Sequence, residues 1–292
     1  MTLPADVLFS DCQKLNIRDL VNVAASDPGM RRVVKNVIRT RVYGHLSTII
    51  HHAHIPTFFS TLTRTQSVIG GSIALAAINP DFLKNSPPTN VNVFTPVGRL
   101  TDWDIYLTNI GFVSSTEAAR QLPSCRTVVS FTFHNEEKRT NRTVIVYEAK
   151  GSSALTPIFE SGYTCQMNFL TRDHLYCMHP HLTPQLKTLQ VIRRQLTRKE
   201  REEETRLLNR GVVIMGTPEE ITLCDDYVLC RSIFRTVGYK APRLVDWPGD
   251  KIGILCWGIN ENESYLHSKR VEFWLGGECD NEACMQAVYD EN

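Results

Sequence analysis

The run Ser67-Val68-Ile69-Gly70-Gly71-Ser72, continued by Ile73-Ala74-Leu75-Ala76-Ala77-Ile78, most narrows what this chain can build. Strand-type residues meet two glycines, and an unbroken stretch of small and aliphatic residues follows. That pattern predicts a buried strand turning at once into a compact helix. Glycines at such a turn let backbone amides approach a phosphate, with a helix N-terminus behind them. Further along, Thr101-Asp102-Trp103-Asp104-Ile105-Tyr106-Leu107 carries two carboxylates one residue apart. Read as a strand, it sends Asp102, Asp104 and Tyr106 to one face and Trp103, Ile105 and Leu107 to the other. The carboxylates then start about 6.7 Å apart at the backbone. Both can reach one divalent cation, which prefers oxygen ligands.

A Gly-Gly-Ser turn, a helix and then Asp-x-Asp on a strand resembles the polymerase-beta-type nucleotidyltransferase superfamily. The resemblance implies that Gly71 and Ser72 hold the phosphates of a nucleoside triphosphate, and that Asp102 and Asp104 bind magnesium. It also implies a third acid on a later strand. No Asp stands there, and Glu148 is the carboxylate nearby. The interval from turn to Asp pair is long, so Pro80-Asp81 through Val97-Gly98 reads as an insertion. The segment Ser161-Gly162-Tyr163-Thr164-Cys165-Gln166-Met167-Asn168-Phe169, followed by Tyr176-Cys177-Met178-His179-Pro180, is similar to a hallmark of large fungal families of uncharacterised proteins with a degenerate core of this kind. The likeness covers residues 65 to 210.

At 292 residues the chain can bury one large core, or a core plus a small helical module. Hydrophobic residues at 42% and charged residues at 22% belong to a globular protein rather than a disordered one. Lys and Arg total 32 against 31 Asp and Glu, so no overall basic field argues for nucleic acid as a partner. The start, Met1-Thr2-Leu3-Pro4-Ala5-Asp6, lacks the basic and long apolar regions of a signal peptide. Val68 to Ile78 is too short to cross a bilayer. Nine cysteines without zinc-type spacing are expected as reduced, mostly buried thiols in cytoplasm or nucleus.

The first fifty residues have their own pattern. Pro4 suits the first turn of a short helix, and Leu8, Cys12 and Leu15 recur at helical spacing. Asn16 is placed to cap a second helix, Ile17 to Ala25, and a third opens at Arg31 and runs to about Ile50. The Leu3-Pro4-Ala5-Asp6-Val7-Leu8 start, the Ile17-Arg18-Asp19-Leu20 step, and Arg31 with Val34 resemble the F-box. That resemblance implies docking to a Skp-type adaptor of a cullin ubiquitin ligase. A plain helical cap on the following domain is the alternative.

Beyond this module, Phe58 to Thr65 reads as a helix. Ser114 with Glu117 reads as a capping box for a helix ending near Leu122. Cys125 to Phe133 and Arg142 to Lys150 read as a hairpin. Thr156 to Ser161 reads as a short helix, and Ile192 to Asn209 as a charged one with Leu207 and Leu208 packing inward. In the tail, Ile252-Cys256 and Arg270-Trp274 read as two strands around an Asn-Glu-Asn turn. Glu148-Ala149-Lys150 has the Glu-x-Lys form of restriction-type nucleases, though the preceding strand lacks the Asp that such a site needs. His51, His52 and His54 sit at spacings that split them across helix faces, which disfavours a metal site.

These readings converge on an α+β (mixed α/β) protein: a helical F-box-like module over 1–50 and a nucleotidyltransferase-like domain over 51–292. The leading expectation is an interaction or adaptor protein whose second domain is a pseudoenzyme. The alternative is a magnesium-dependent nucleotidyltransferase using Gly71, Ser72, Asp102 and Asp104, with Glu148 as third acid.

Overall fold

A computed structural model describes residues 5–84, 87–115, 123–135, 140–191, 195–216, 235–237, 245–246, 253–258 and 271–273. It shows an α+β fold. The elements run α1 (Ala5–Cys12), α2 (Ile17–Ser26), α3 (Pro28–Ser47), α4 (Ile55–Arg64), β1 (Val68–Gly70), α5 (Ser72–Ile78), β2 (Asn90–Thr95), α6 (Leu100–Asn109), β3 (Val113–Ser115), β4 (Cys125–Asn135) and β5 (Thr140–Ala149). There follow α7 (Thr156–Phe159), β6 (Phe169–Leu170), β7 (His174–Cys177), β8 (Lys187–Thr188), α8 (Arg198–Asn209), β9 (Val213–Ile214), β10 (Arg235–Val237), β11 (Val245–Asp246), β12 (Gly253–Cys256) and β13 (Val271–Phe273). Among the described residues no helix is long and apolar enough to cross a membrane.

The opening helices form for local reasons. Asn16 accepts from the amides of Arg18 and Asp19 at the start of α2. Asp27 accepts from those of Gly29 and Met30 at the start of α3, where Pro28 takes the first turn. Buried residues fall at helical spacing: Ile17, Leu20, Val21 and Ala24 on α2, then Val34, Val37, Ile38, Arg41 and Val42 on α3. Their apolar faces enter the same core as Ile73, Val91, Val93, Val144 and Leu175 of the body.

The main sheet has nine strands in the order β11-β12-β7-β6-β1-β2-β5-β4-β3. Its neighbours are antiparallel except β2 and β5, which run parallel. One face carries Ile69, Val91, Val93, Val144 and Val146 and is covered by the N-terminal helices and α6. The opposite face carries Val68, Phe94, Tyr147, Phe169 and Tyr176, covered by Ala154, Leu155, Ile158, Met167 and Leu189.

The expected β4–β5 hairpin is present, as is the short helix α7. Three local expectations need correction. Ser114 lies in β3, paired with Phe131, rather than capping a helix, and residues 116–122 lie outside the described ones. On α8 the capping box belongs to Thr197 and Glu200; Leu207 is buried but Leu208 is half exposed. The tail strands do not pair with each other, since β12 pairs with β7 and β11, and β13 with β10.

Candidate functional site

The glycine corner folds as expected. β1 ends at Gly70, and Gly71, at φ +71° and ψ −143°, opens α5. This conformation suits glycine alone. Space imposes the same choice. A Cβ on Gly70 would lie 2.7 Å from Cε2 of Phe94, and one on Gly71 would lie 2.6 Å from Nδ2 of Asn92. Both neighbours stand on β2, in register with the corner: Val68 faces Phe94 and Gly70 faces Asn92. Ser72 begins α5 and is half-buried, while every residue from Ile73 to Ile78 is buried.

Asp102 and Asp104 are not on a strand. Thr101–Leu107 belongs to α6, and this overturns the shared face read for Asp102, Asp104 and Tyr106. The buried or half-buried apolar residues here are Leu100, Trp103, Tyr106, Leu107 and Ile110, which follow the helical period, whereas Ile105 is 58% exposed. Two residues apart on a helix is about 200° around the axis, so the two carboxylates diverge. Asp102, in the first turn, pairs with Arg64 and also with Arg99 at 3.6 Å, tying α6 to α4. Asp104 is exposed. The intervening Trp103 is fully buried and donates its indole N–H to Ser67 Oγ at 2.9 Å. Ser67 in turn donates to Thr95 Oγ1 at 2.8 Å.

Glu148 is buried, with a task of its own. It accepts from the Gly98 amide at 2.8 Å, holding the turn before α6. It follows Val146 on the helix-covered face, whereas Asn92 shares the opposite face with Phe94. The three predicted acids therefore do not converge. Among the described residues no group of three or more His, Cys, Asp or Glu side chains is placed to hold a metal ion. Glu148-Ala149-Lys150 shows no nuclease arrangement either, with Glu148 committed to Gly98 and Lys150 exposed.

The sequence reading passed over the strand that does adjoin the corner. Asn90-Val91-Asn92-Val93-Phe94-Thr95 alternates polar and apolar residues and is β2, inside the stretch taken for an insertion. Its alternation and its β-branched residues were the available signal. Asn90 donates an amide hydrogen to Asn92 Oδ1, which leaves Asn92 Nδ2 against Gly71. Registers extend this surface outward: Asn90 to Thr143 to Thr132 to Val113, and Asn92 to Ile145 to Ser130 to Ser115. These positions offer amides, hydroxyls and aliphatic groups, with no formal charge.

The segment from Ser161 to Pro180 has a structural role. Asn168, buried, donates to the Cys165 carbonyl at 2.6 Å and accepts from the Met178 amide at 2.9 Å, so it locks β6 to β7. Burial pushes the Cys165 and Cys177 thiols up to about 12 and that of Cys125 up to about 11, which keeps them protonated and unreactive at neutral pH. No protein-family model matches the chain, and no curated protein does.

Proposed function

We propose that this chain is a binding protein on a nucleotidyltransferase-like scaffold, with Asn90 and Asn92 standing where that resemblance calls for its two metal-binding acids. One observation carries the reading: Asn92 sits opposite Gly70 in the β1–β2 ladder and against Gly71. A strand–glycine–helix unit followed by a strand beside the corner is the order the resemblance requires. Amide side chains keep the shape of that arrangement but not its charge. A carboxylate pair draws magnesium through full negative charges, which two neutral carboxamides cannot replace. The same change leaves a flat, uncharged, hydrogen-bonding face, suited to holding a partner rather than activating a hydroxyl.

The test is restoration. The chain carrying Asn90→Asp with Asn92→Asp is expected to gain saturable Mn2+ binding by electron paramagnetic resonance, beyond any shown by the parent. Nucleotide transfer by the parent protein that disappears on Asn92→Ala would overturn the proposal.

Docking to a Skp-type adaptor is the accompanying proposal for the N-terminal helices. The apolar sides of α2 and α3 are occupied by the chain's own core, so α1 supplies the contact. Val7 is 43% exposed there and Leu8 half-buried. Co-purification with such an adaptor should be lost on Leu8→Asp with Val7→Asp, and an unchanged complex would count against it.

A further inference from the structure

No Asp or Glu stands between Asp27 and Asp81, a stretch that carries six Lys and Arg. Four of these, Arg31, Arg32, Lys35 and Arg39, reach the surface of α3; the first two are exposed and the others half-buried. Residues four apart on a helix are surface neighbours, so Arg31, Lys35 and Arg39 form one row with steps of about 6 Å. Arg32 lies beside it. No carboxylate among the described residues is paired with Arg31, Arg32 or Arg39. Asp27, at the head of the helix, is committed to the amides of Gly29 and Met30. Backbone contacts steady two members of the row. Arg31 Nε donates to the Ala24 carbonyl at 3.2 Å, and Arg39 Nη2 lies 3.5 Å from the Trp257 carbonyl. Each guanidinium has further N–H groups to offer an acid.

The complement lies in the same chain. After Arg270 the sequence holds Glu272, Glu278, Asp280, Glu282, Asp290 and Glu291, and neither Lys nor Arg. Glu278, Asp280 and Glu282 alternate, so an extended chain sends all three to one side at intervals of about 6.7 Å. That spacing fits the row on α3. We propose that this row holds residues 278–282 of the same chain, laid extended along the helix. Asp280 meets Lys35 at the centre, and Glu278 and Glu282 meet Arg31 and Arg39 at the ends.

Position favours this segment over an acid from elsewhere. β11 packs on α2, and Trp257 reaches Arg39, so the chain already runs beside these helices before the acidic segment begins. The residues from Trp257 to Glu278 can span up to about 70 Å when extended, enough to serve either end of the row. Exposed ion pairs are individually weak, and a free acidic peptide would hold poorly. A tethered one meets the helix at an effective concentration on the order of millimolar.

Carbodiimide cross-linking of the full chain tests this, because it joins a lysine only to a carboxylate in direct contact. Peptide mass spectrometry is expected to find Lys35 joined to residues 278–282, with Asp280 the main site. Glu278→Arg with Glu282→Arg should lower the Lys35–Asp280 yield about fivefold or more by setting like charges together. Glu278→Gln with Glu282→Gln, which adds no charge, should lower it in the same direction. Adding Arg31→Glu and Arg39→Glu to the first pair should restore it, whichever way the segment runs. A mixture of unlabelled chains and chains labelled with heavy nitrogen should give joined peptides of one label only. Peptides of mixed label would mean that a second copy supplies the acid, and overturn the proposal. So would Lys35 joined elsewhere or not at all, a yield indifferent to Glu278 and Glu282, or a fourfold exchange that fails to restore it.

Discussion

Arg41 shows how a single side chain can join distant stretches. It is 6% exposed, and its guanidinium donates to the carbonyls of Cys12 (3.1 Å), Gln13 (2.9 Å), Leu15 (2.5 Å) and Ala77 (3.3 Å). These carbonyls lie at the C-terminal ends of α1 and α5, where helix dipoles favour a cation. Desolvation still lowers its pKa to about 10. Arg41→Met would strand buried carbonyls and is expected to cost about 3 kcal/mol, read as a lower urea midpoint. An unchanged midpoint would contradict the clamp. Cys165 and Cys177 make a second prediction. Their native pKa of about 12 lies above the ordinary thiol value of 9.0, so the native state holds these protons more tightly than the unfolded chain. The resulting stability is fully present below pH 9 and is lost as pH rises towards 12. Each tenfold difference in proton affinity between the two states is worth about 1.4 kcal/mol. Urea midpoints measured between pH 8 and 11 should fall with pH, and fall less steeply with both cysteines changed to Ala.

Two helices end alike, and their neighbours separate backbone from packing effects. α6 closes with the Gly111 amide on Thr108 and the Phe112 amide on Leu107; α8 does the same through Gly211 and Val212. Both glycines have positive φ, at +92° and +81°. A Cβ at Gly211 meets open space, while one at Gly111 comes within 3.1 Å of the Phe133 ring. Gly211→Ala should therefore cost about 1 kcal/mol from backbone conformation alone, and Gly111→Ala more, by thermal unfolding. Equal losses would mean that Phe133 yields freely. The same elements explain what was legible beforehand. Asn16 and Asp27 cap helices through side chains two and three residues away, so α2 and α3 could be read locally. The period of α6 was ambiguous, because Trp103 and Leu107 fit both a strand alternation and a helical turn. Leu100 and Ile110 decide for the helix once the window is widened.

The first three helices and the sheet share one core, running from Cys12 on α1 to Trp257 beyond β12. The boundary drawn near residue 50 follows a change of pattern, but side chains from both sides of it meet in this core. Unfolding in urea is expected to be a single transition, with tryptophan fluorescence and far-ultraviolet circular dichroism changing together. Separate transitions would show that the helices hold themselves up. A chain shortened to 51–292 should lose native near-ultraviolet signal, because the α5 surface covered by α3 would open to water.

Strand, glycine corner and following helix were written locally, in a run of residues whose conformational demands come from their own backbone and neighbours. The caps of α2 and α3 and the β4–β5 hairpin were equally local. Which strand lies beside the corner was not. That depended on the ladder between β1 and β2, a pairing between residues more than twenty positions apart that brings Asn92 to Gly70. A carboxylate pair is conspicuous in a list of residues, yet pairing and burial determine which side chains meet, and they turned Asp102 towards two arginines and Glu148 towards an amide.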